Sequence, residues 1–265
     1  MKEIHPSAII HPQAELAEGV AIGPGVVLGP EVQIGAGTKI GPHTVIEGRV
    51  IIGQRNEIGP FVCIGHAPQH LLYKGEPTSV EIGDENVIRE YVSIHRGTLL
   101  DQGVTRIGNR CYLMAYAHVG HDCDLGDEVI LTNAVQLGGH VRVGFGAVFG
   151  GGVLVHQFCR VGELAFVSGM SGVNKDVPPY VRVFGHKARI FGLNLVGLKR
   201  RGLATDTLKV LKQALNIYLK QGTLAEAIEE IEKKLPSLPE VQTFVSFLKG
   251  PSKRGLIRKS GEAGW

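Results

Sequence analysis

Residues 22–40 read IGPGVVLGPEVQIGAGTKI, and a large aliphatic residue occupies every sixth position of this stretch. The same step continues in both directions, with two interruptions and Phe149 as its one aromatic member: Ile4, Ile10, Leu16, Ile22, Leu28, Ile34, Ile40, Ile46, Ile52, Ile58, Ile64, then Ile82, Ile88, Ile94, then Ile107, Leu113, Val119, Leu125, Leu131, Leu137, Val143, Phe149, Val155, Val161, Val167, Val173. A helical period of 3.6 residues does not produce this spacing. The sequence therefore predicts a protein built from six-residue repeats.

A second class of residue lies four positions after each large aliphatic residue. Its members are small or β-branched, for example Ala14, Val20, Val26, Thr38, Asn56, Cys111, Ala117, Cys123, Cys159 and Ala165. Glycine often follows the large residue directly, as in Ile22-Gly23 and Ile34-Gly35. One large and one small inward residue per unit, with a turn glycine, describes one flat face of a triangular coil, and successive coils stack at the strand spacing of ~4.8 Å. The repeat therefore predicts a parallel β-helix whose cysteines 111, 123 and 159 fill the core.

Two segments interrupt the repeat. Residues 66–80 replace two units, and residues 97–106 shift the phase by one position. A regular coil tolerates insertions only where they can leave its surface, and such loops frequently carry function. Each segment is therefore a candidate binding loop, with a plain surface insertion as the alternative.

The repeat ends near Val173, and a helical pattern begins at about Thr205. Leu208, Leu211, Leu215 and Tyr218 share one helical face, and Thr223 with Glu226 forms a capping box that predicts a second helix. A third helix is expected from Ser237. The tail, residues 253–265, is basic and polar, which is typical of a disordered segment.

The bulk composition excludes several classes of protein. The chain is 43% hydrophobic and 20% charged, as globular proteins are, and its net charge of +3 is too small to indicate nucleic-acid binding. No apolar run approaches the roughly 18 residues that span a bilayer, and residues 1–6 lack the apolar core of a signal peptide. We expect a cytoplasmic protein with no nucleic-acid partner and no membrane insertion.

Four histidines fall in a short part of the coil: His118, His121, His140 and His156. Because three units make one coil, His121 and His140 should lie about one coil apart, as should His140 and His156. None of the four occupies an inward position. The spacing therefore predicts a ladder of imidazoles along one outer edge of the coil.

Two chemistries could use such a ladder. Imidazoles from neighbouring coils could bind zinc, as in the carbonic anhydrases that share the β-helix. Those enzymes use a His-x4-His pair. This chain has His118-x2-His121 instead and no carboxylate cluster that would complete another site. The other chemistry is general base catalysis, with glycine N–H groups beside the ladder as donors to an oxyanion. We favour the general base and expect no metal and no cofactor.

Several motifs resemble those of one known family, the UDP-N-acetylglucosamine acyltransferases. They are Ile94-His-Arg-Gly-Thr98, His118-Val-Gly-His-Asp-Cys123, Gly138-Gly-His140, Val155-His-Gln-Phe-Cys159, Asp176-Val-Pro-Pro-Tyr180 and Gly197-Leu-Lys-Arg-Arg-Gly202. The resemblance covers essentially the whole chain. It implies a mainly β protein, with a left-handed parallel β-helix over residues 1–190 and a small α-helical C-terminal domain over residues 191–265. It also implies a homotrimer that transfers a 3-hydroxyacyl chain from acyl carrier protein to the 3-hydroxyl of the UDP-sugar, the first step of lipid A biosynthesis.

The resemblance also implies roles for individual residues. His121 matches the catalytic base, Asp122 the acid that orients it, and Gly139 the backbone oxyanion donor. Residues that match the substrate groove and the nucleotide site are His118, His140, His156, Gln157, Asn194, Arg200 and Arg201. Gly169 and Lys187 match positions that limit acyl length. Neighbours on a strand point to opposite faces, so Asp122 can reach His121 only at a corner of the coil.

Three departures from the family pattern concern the acceptor. The family commonly reads Gln-Asp-Leu-Lys where this chain reads Gln69-His70-Leu71-Leu72, so an acid and a base are replaced by His70 and Leu72, which occupy the acceptor-contacting positions. Val196 stands where some members carry an acid. Transfer to a 3-amino analogue of the sugar therefore stays open, as does the later N-acyltransfer step of the same pathway. A basic set is a candidate docking surface for the acidic carrier protein: Arg182, Lys187, Arg189, Lys199, Arg200 and Arg201.

Overall fold

The computed structural model describes residues 3–220 and 222–258. The coil begins with the strands β1 (Glu3–Ile4), β2 (Ile9–Ile10), β3 (Glu15–Leu16), β4 (Ala21–Ile22), β5 (Val27–Leu28), β6 (Val32–Ile34), β7 (Lys39–Ile40), β8 (Val45–Ile46), β9 (Arg49–Ile52), β10 (Glu57–Ile58), β11 (Cys63–His66), β12 (Ser79–Ile82), β13 (Val87–Ile88) and β14 (Ser93–His95). It continues with β15 (Val104–Ile107), β16 (Tyr112–Leu113), β17 (His118–Val119), β18 (Asp124–Leu125), β19 (Ile130–Leu131), β20 (Gln136–Leu137), β21 (Arg142–Val143), β22 (Val148–Phe149), β23 (Leu154–Val155), β24 (Arg160–Val161), β25 (Phe166–Val167), β26 (Gly172–Val173), β27 (Val181–Phe184) and β28 (Arg189–Leu193). Four helices follow: α1 (Leu195–Arg200), α2 (Thr205–Leu219), α3 (Leu224–Lys234) and α4 (Pro239–Lys249).

The strands form three sheets, one for each face of the coil. We call them sheet A (β1 to β28, 11 strands), sheet B (β2 to β26, nine strands) and sheet C (β3 to β24, eight strands). Each strand of the coil pairs in parallel with the strand one coil further on, so that Ile22 lies beside Ile40 and Leu28 beside Ile46. Within the described residues, only β27 and β28 pair antiparallel, where the coil ends. We name the three edges corners AB, BC and CA after the sheets that they join.

The inward positions predicted from the repeat form the core. The large aliphatic residues from Ile22 onward are buried, and so are Cys111, Cys123 and Cys159, which confirms that these cysteines are core residues. Burial raises the pKa of the Cys123 thiol to about 12, so this thiol stays protonated and inert.

Polar residues in the small inward position are satisfied by a ladder of hydrogen bonds inside the coil. Thr38 donates to the carbonyl of Gly53 and accepts the N–H of Asn56. The Oδ1 of Asn56 accepts from both the backbone and the side-chain amide of Asn86, whose own Oδ1 accepts the N–H of Cys111. Because each buried group has a partner, these polar residues do not carry the cost of unsatisfied burial.

Both interruptions of the repeat lie at corner BC. They are slightly shorter than predicted, because β11 extends to His66, β12 begins at Ser79 and β15 begins at Val104. The first loop is therefore residues 67–78 and the second is residues 96–103. The Arg96 guanidinium fastens them together, since it donates to the carbonyl of Gly65 and to the hydroxyl of Tyr73.

Burial is uneven along the coil. In the first coil, the inward Ile4 is 45% exposed and the inward Ile10 is only partly buried, whereas inward residues from Val20 onward are almost completely buried. The first coil has a neighbour on one side only, so each of its strands pairs with a single partner.

The helices pack against the far end of the coil. β28 crosses the expected boundary between residues 190 and 191, and α1 is a helix that the repeat pattern did not predict. The capping box of Thr223 and Glu226 is confirmed, whereas the third predicted helix begins at Pro239 rather than at Ser237.

The start of the tail is ordered, contrary to the expectation from its composition. Leu256 bridges to the fully buried Asp176, the hydroxyl of Tyr218 donates to the carbonyl of Ile257, and Arg258 donates to the carbonyl of Tyr218. These bonds fasten the chain end to both the coil and α2. Residues 259–265, the rest of the expected disordered tail, lie outside the described residues.

Candidate active site

The central feature of the site is a His–Asp dyad at corner BC. The Nδ1 of His121 lies 2.8 Å from the Oδ2 of Asp122. Adjacent residues can meet in this way because Asp122 turns the corner with a φ of 59°, in the left-handed region. The corner geometry that the sequence required is therefore present.

Asp122 is held from a second direction by the loop of residues 96–103. The backbone N–H of Thr98 donates to Oδ1 at 2.8 Å and its hydroxyl donates to Oδ2 at 2.7 Å. Burial acts to raise the pKa of Asp122, but the hydrogen bonds from His121 and Thr98 outweigh it and hold the pKa below its ordinary value. The carboxylate is thus ionised and fixes the proton of His121 on Nδ1, leaving Nε2 as an acceptor.

Gly139 lies directly beneath this acceptor nitrogen. A Cβ atom added to Gly139 would lie only 2.6 Å from the Nε2 of His121, so any side chain here would displace the imidazole. Among the hydrogen bonds of residues 3–220 and 222–258, the N–H of Gly139 has no acceptor. A free backbone donor next to a basic nitrogen is the arrangement that an oxyanion intermediate requires.

His118 stands on the outer face of sheet B, next to the dyad. Its Nδ1 lies 2.8 Å from the hydroxyl of Ser93, one coil away. Burial first, and then the neighbouring His95 and His121, lower the pKa of His118 to about 4. His118 is therefore neutral at physiological pH and serves as a hydrogen-bonding group.

We expect the free energy of unfolding to fall as the pH falls from about 6.5 to 4. The folded state binds fewer protons than the unfolded chain in this window, because the pKa of His118 is lower in the fold than its ordinary 6.5. His118 alone contributes up to roughly 3 kcal/mol of this change. Urea unfolding at several pH values measures it. His118→Gln should flatten the pH dependence, whereas His11→Gln, at an exposed site, should not; parallel curves for all three proteins would refute the assignment.

The predicted ladder of three histidines is wrong at its third member. His121 and His140 do meet edge to face, with ring centroids 5.0 Å apart. The ring stacked on His140, at 4.3 Å, belongs to Phe158 and not to His156. The coil repeats every eighteen residues, so Phe158 takes the corner position above His140, while His156, sixteen residues on, lies before the corner on the side of sheet B.

One cavity of about 680 Å³ contains most of the predicted groove residues. It runs along the outer face of sheet B past corner BC, and its lining includes His118, His121, Gly139, His156, Gln157 and Lys187. Gly172, Val173 and His186 line the cavity as well. His140 is not part of this lining; it borders a separate cavity behind the corner, with Asp101 and Arg142.

The predicted loop residues differ in their placement. The ring of His70 packs edge to face on that of His121, with centroids 5.4 Å apart, so this loop lies over the dyad. Leu72 is exposed and contributes nothing to the lining. Gly169 lies at corner AB beside the exposed Met170, outside the cavity, so it does not bound the cavity of the single chain.

The predicted nucleotide residues lie elsewhere. Asn194 caps α1 by accepting the N–H of Gly197, and Arg200 lines a second cavity of about 770 Å³ on the side of sheet A. Arg201 pairs with Glu128 and lies over the ring of Phe145. In a single chain Asn194 and Arg200 line a different cavity from that of His121, and Arg201 lines neither of the two, so one chain does not bring the two halves of the predicted site together.

Sequence reasoning missed Thr98 and Ser93 as members of the site. Thr98 belongs to one of the family motifs, but its role depends on the path of its loop back onto Asp122, which no local pattern encodes. Ser93 could have been found, because it lies one coil from His118 once the second loop is removed from the count.

His121, Asp122 and His140 also form a cluster whose possible ligand atoms lie within 4.8 Å of one another. The Oδ2 of Asp122 already accepts hydrogen bonds from the Nδ1 of His121 and from the hydroxyl of Thr98. The cluster is therefore satisfied as a hydrogen-bond network, which differs from a site of three ligands spread around an open metal position.

No helix among the described residues is long and apolar enough to cross a membrane.

Comparisons with known proteins agree on one family. Residues 176–257 match the family model described as Udp N-acetylglucosamine O-acyltransferase, domain 2, and residues 31–66 match that of the bacterial transferase hexapeptide with six repeats. The acyl-(acyl-carrier-protein)–UDP-N-acetylglucosamine O-acyltransferase of Alkalilimnicola ehrlichii is 51% identical over 259 residues, covering 97% of this chain and 100% of that protein. The structure of LpxA from Acinetobacter baumannii has a TM-score of 0.94 at 43% identity, covering 96% of this chain and 99% of that one. A UDP-N-acetylglucosamine acyltransferase from Bacteroides fragilis has a TM-score of 0.93 at 38% identity, covering 96% and 100%. The predicted fold class, a left-handed parallel β-helix with a small helical C-terminal part, is thereby confirmed.

Proposed function

This chain belongs to the family of acyl-(acyl-carrier-protein)–UDP-N-acetylglucosamine O-acyltransferases, and from that premise we propose how its residues perform the reaction. The chain is an acyltransferase: it moves a 3-hydroxyacyl group from the thioester of acyl carrier protein to the 3-hydroxyl of UDP-N-acetylglucosamine, the first step of lipid A biosynthesis. The comparisons give no support to the later N-acyltransfer step or to a zinc hydratase.

The Nε2 of His121 takes the proton of the sugar 3-hydroxyl as that oxygen attacks the thioester carbon. The new C–O bond gives a tetrahedral intermediate whose oxyanion accepts the free N–H of Gly139. The C–S bond then breaks, and the proton held on His121 passes to the departing thiolate of the carrier. Asp122 stabilises the imidazolium while it exists, because its ionised carboxylate faces Nδ1.

One observation carries this proposal. The buried Asp122 commits Nδ1 of His121, and the remaining nitrogen lies above a glycine whose N–H has no other acceptor. A base, its orienting acid and an oxyanion donor thus meet at one point, as acyl transfer requires. His118, His156 and Gln157 then line the groove on either side of that point.

We also propose that the working form is a cytoplasmic homotrimer. The separation of the dyad from Asn194, Arg200 and Arg201 supports this assembly, because a neighbouring copy could supply the missing half. Roles for His140, Gly169 and Lys187 in substrate binding and acyl length are part of the same proposal, as is docking of the carrier protein on the basic set around Arg182 and Arg200.

Product analysis tests the function directly. Purified protein is incubated with 3-hydroxyacyl carrier proteins of several chain lengths and either UDP-N-acetylglucosamine or its 3-amino analogue, and products are identified by mass spectrometry. We expect an O-acylated UDP-N-acetylglucosamine with a preferred chain length. If every acyl carrier gave no product, the proposed function would fail; product from the amino sugar alone would reassign the acceptor and implicate His70 and Leu72.

A further inference from the structure

A second pair of imidazole and carboxylate lies one coil further along corner BC. The Nδ1 of His140 is 3.3 Å from the Oδ2 of Asp101 and 3.7 Å from the Oδ2 of Asp122. The ring of His140 also packs edge to face on that of His121. The mechanism proposed above gives Asp101 no part, although its carboxylate is the nearer of the two to His140.

The proton of His140 lies on the nitrogen that faces these carboxylates. Burial lowers the pKa of His140, and the attraction of Asp101 and Asp122 offsets only part of this effect, so the ring is neutral at physiological pH. A neutral imidazole carries one N–H, and carboxylate oxygens accept hydrogen bonds. Nδ1 is therefore the donor, and it donates to Asp101.

A third donor at the Oδ2 of Asp122 would weaken the dyad. This oxygen already accepts hydrogen bonds from the Nδ1 of His121 and from the hydroxyl of Thr98. The ring of His140 is stacked on Phe158 with centroids 4.3 Å apart, which keeps it beside the dyad. At 3.7 Å its N–H is just outside hydrogen-bond range of Asp122. A small movement would bring it into competition with His121.

The loop of residues 96–103 presents two side chains to this corner from one turn. The backbone N–H of Asp101 donates to the carbonyl of Thr98 at 3.3 Å. Thr98 supplies donors to Asp122, whereas Asp101 supplies an acceptor to His140. The same turn therefore holds the carboxylate of the dyad and occupies the donor that would compete for it.

We propose that Asp101 is a positioning residue for acyl transfer: it accepts the N–H of His140 and thereby keeps this donor away from Asp122. The Oδ2 of Asp122 then stays available to His121, whose Nε2 remains oriented above Gly139. Asp101 borders the cavity behind the corner and not the groove, so it acts through His140. This inference rests on the proposed function and adds a residue to it.

The alternative is that Asp101 only anchors its loop. Its Oδ2 also lies 3.7 Å from the guanidinium of Arg142, a half-exposed side chain on sheet C. Arg142→Gln removes this contact and leaves the contact between Asp101 and His140 in place. It is therefore the matched control for loop anchoring.

Steady-state kinetics with acyl carrier protein and UDP-N-acetylglucosamine test the proposal. Asp101→Ala should lower kcat about tenfold, because His121 then shares its charged hydrogen-bond partner, and should leave both KM values unchanged. Asp101→Asn keeps an acceptor oxygen at this position and should recover most of kcat. Arg142→Gln should have the kcat of the unmodified protein.

His140→Phe tests the path of the effect. Phenylalanine retains the stack on Phe158, and Phe61 and Phe158 show that this residue type adopts the left-handed conformation of the corners, with φ of 56° and 67°. Without an N–H at position 140 there is no donor for Asp101 to occupy. Adding Asp101→Ala to His140→Phe should therefore cause no further loss of kcat.

The outcomes separate this role from the function itself. An unmodified protein that forms no product would remove the proposed function. With an active protein, any of four results would overturn the role of Asp101 alone: full kcat in Asp101→Ala, a loss confined to KM, an equal loss in Asp101→Asn or Arg142→Gln, or losses that multiply in the double variant. The single variants of Asp101 and Arg142 decide the matter even if His140→Phe does not fold.

Discussion

Replacement of His121 by alanine should lower kcat by about 10³-fold or more, within the range by which a positioned general base accelerates a reaction. The imidazole is the group whose Nε2 faces Gly139, and its other nitrogen is held by Asp122. With the ring absent, no described side chain replaces an oriented base at this point. Acyl transfer is measured with the preferred acyl carrier protein and UDP-N-acetylglucosamine.

The fold should be unaffected by this change. Asp122 keeps both hydrogen bonds from Thr98, so its carboxylate is not left without donors. Thermal unfolding and the mass of the assembly should match those of the unmodified protein, and His11→Ala, in the exposed first coil, should keep full activity. Retention of more than a few per cent of kcat by His121→Ala would remove His121 from the role of base.

Gly139→Ala should reduce kcat by about 10²-fold or more with little change in stability. The added methyl would lie 2.5 Å from Cε1 and 2.6 Å from Nε2 of His121, so the imidazole must move away from the reacting hydroxyl. A misplacement of about 1 Å is enough for a loss of this size. Any shift of the Gly139 N–H would further weaken its contact with the oxyanion.

Gly151→Ala provides the matched control. Gly151 also lies in a turn of the coil, but a Cβ there would meet its nearest neighbour, the carbonyl oxygen of Asn133, at an ordinary 3.5 Å. Gly151→Ala should therefore keep its activity. Equal kcat values for the two alanine variants would show that the close approach at Gly139 has no catalytic role.

The β-helix could be predicted from the sequence because the six-residue repeat is a local property of the chain. A residue such as Ile40 is inward for the same reason as Ile22, and the pairing of the two follows from the count alone. The predicted ladder of histidines is wrong at His156 because one coil spans eighteen residues, whereas His156 is only sixteen residues from His140. His156 therefore lies on the side of sheet B, and Phe158 occupies the corner next to His140. A strict step of eighteen from His140 would have identified Phe158.

The parts of the site that could not be predicted from the sequence depend on the paths of the loops and on other copies of the chain. Thr98 reaches Asp122 only because residues 96–103 fold back over corner BC, and Arg96 holds the neighbouring loop through Tyr73. The family resemblance implies that Asn194 and Arg200 share a site with His121, yet in a single chain they line a different cavity from that of His121. No pattern within one chain encodes contacts between chains.

The uneven burial of the coil implies a gradient of amide exchange along the chain. Each coil is protected by its two neighbours, so opening begins where one neighbour is absent, at the first coil, whose inward Ile4 and Ile10 are incompletely buried. At the other end, the bonds from Asp176 and Tyr218 to the C-terminal segment clamp the last coils. Deuterium uptake should therefore be fastest near residue 10 and slow progressively toward the coil of His121, so that the proposed catalytic dyad lies in a part of the molecule that opens late.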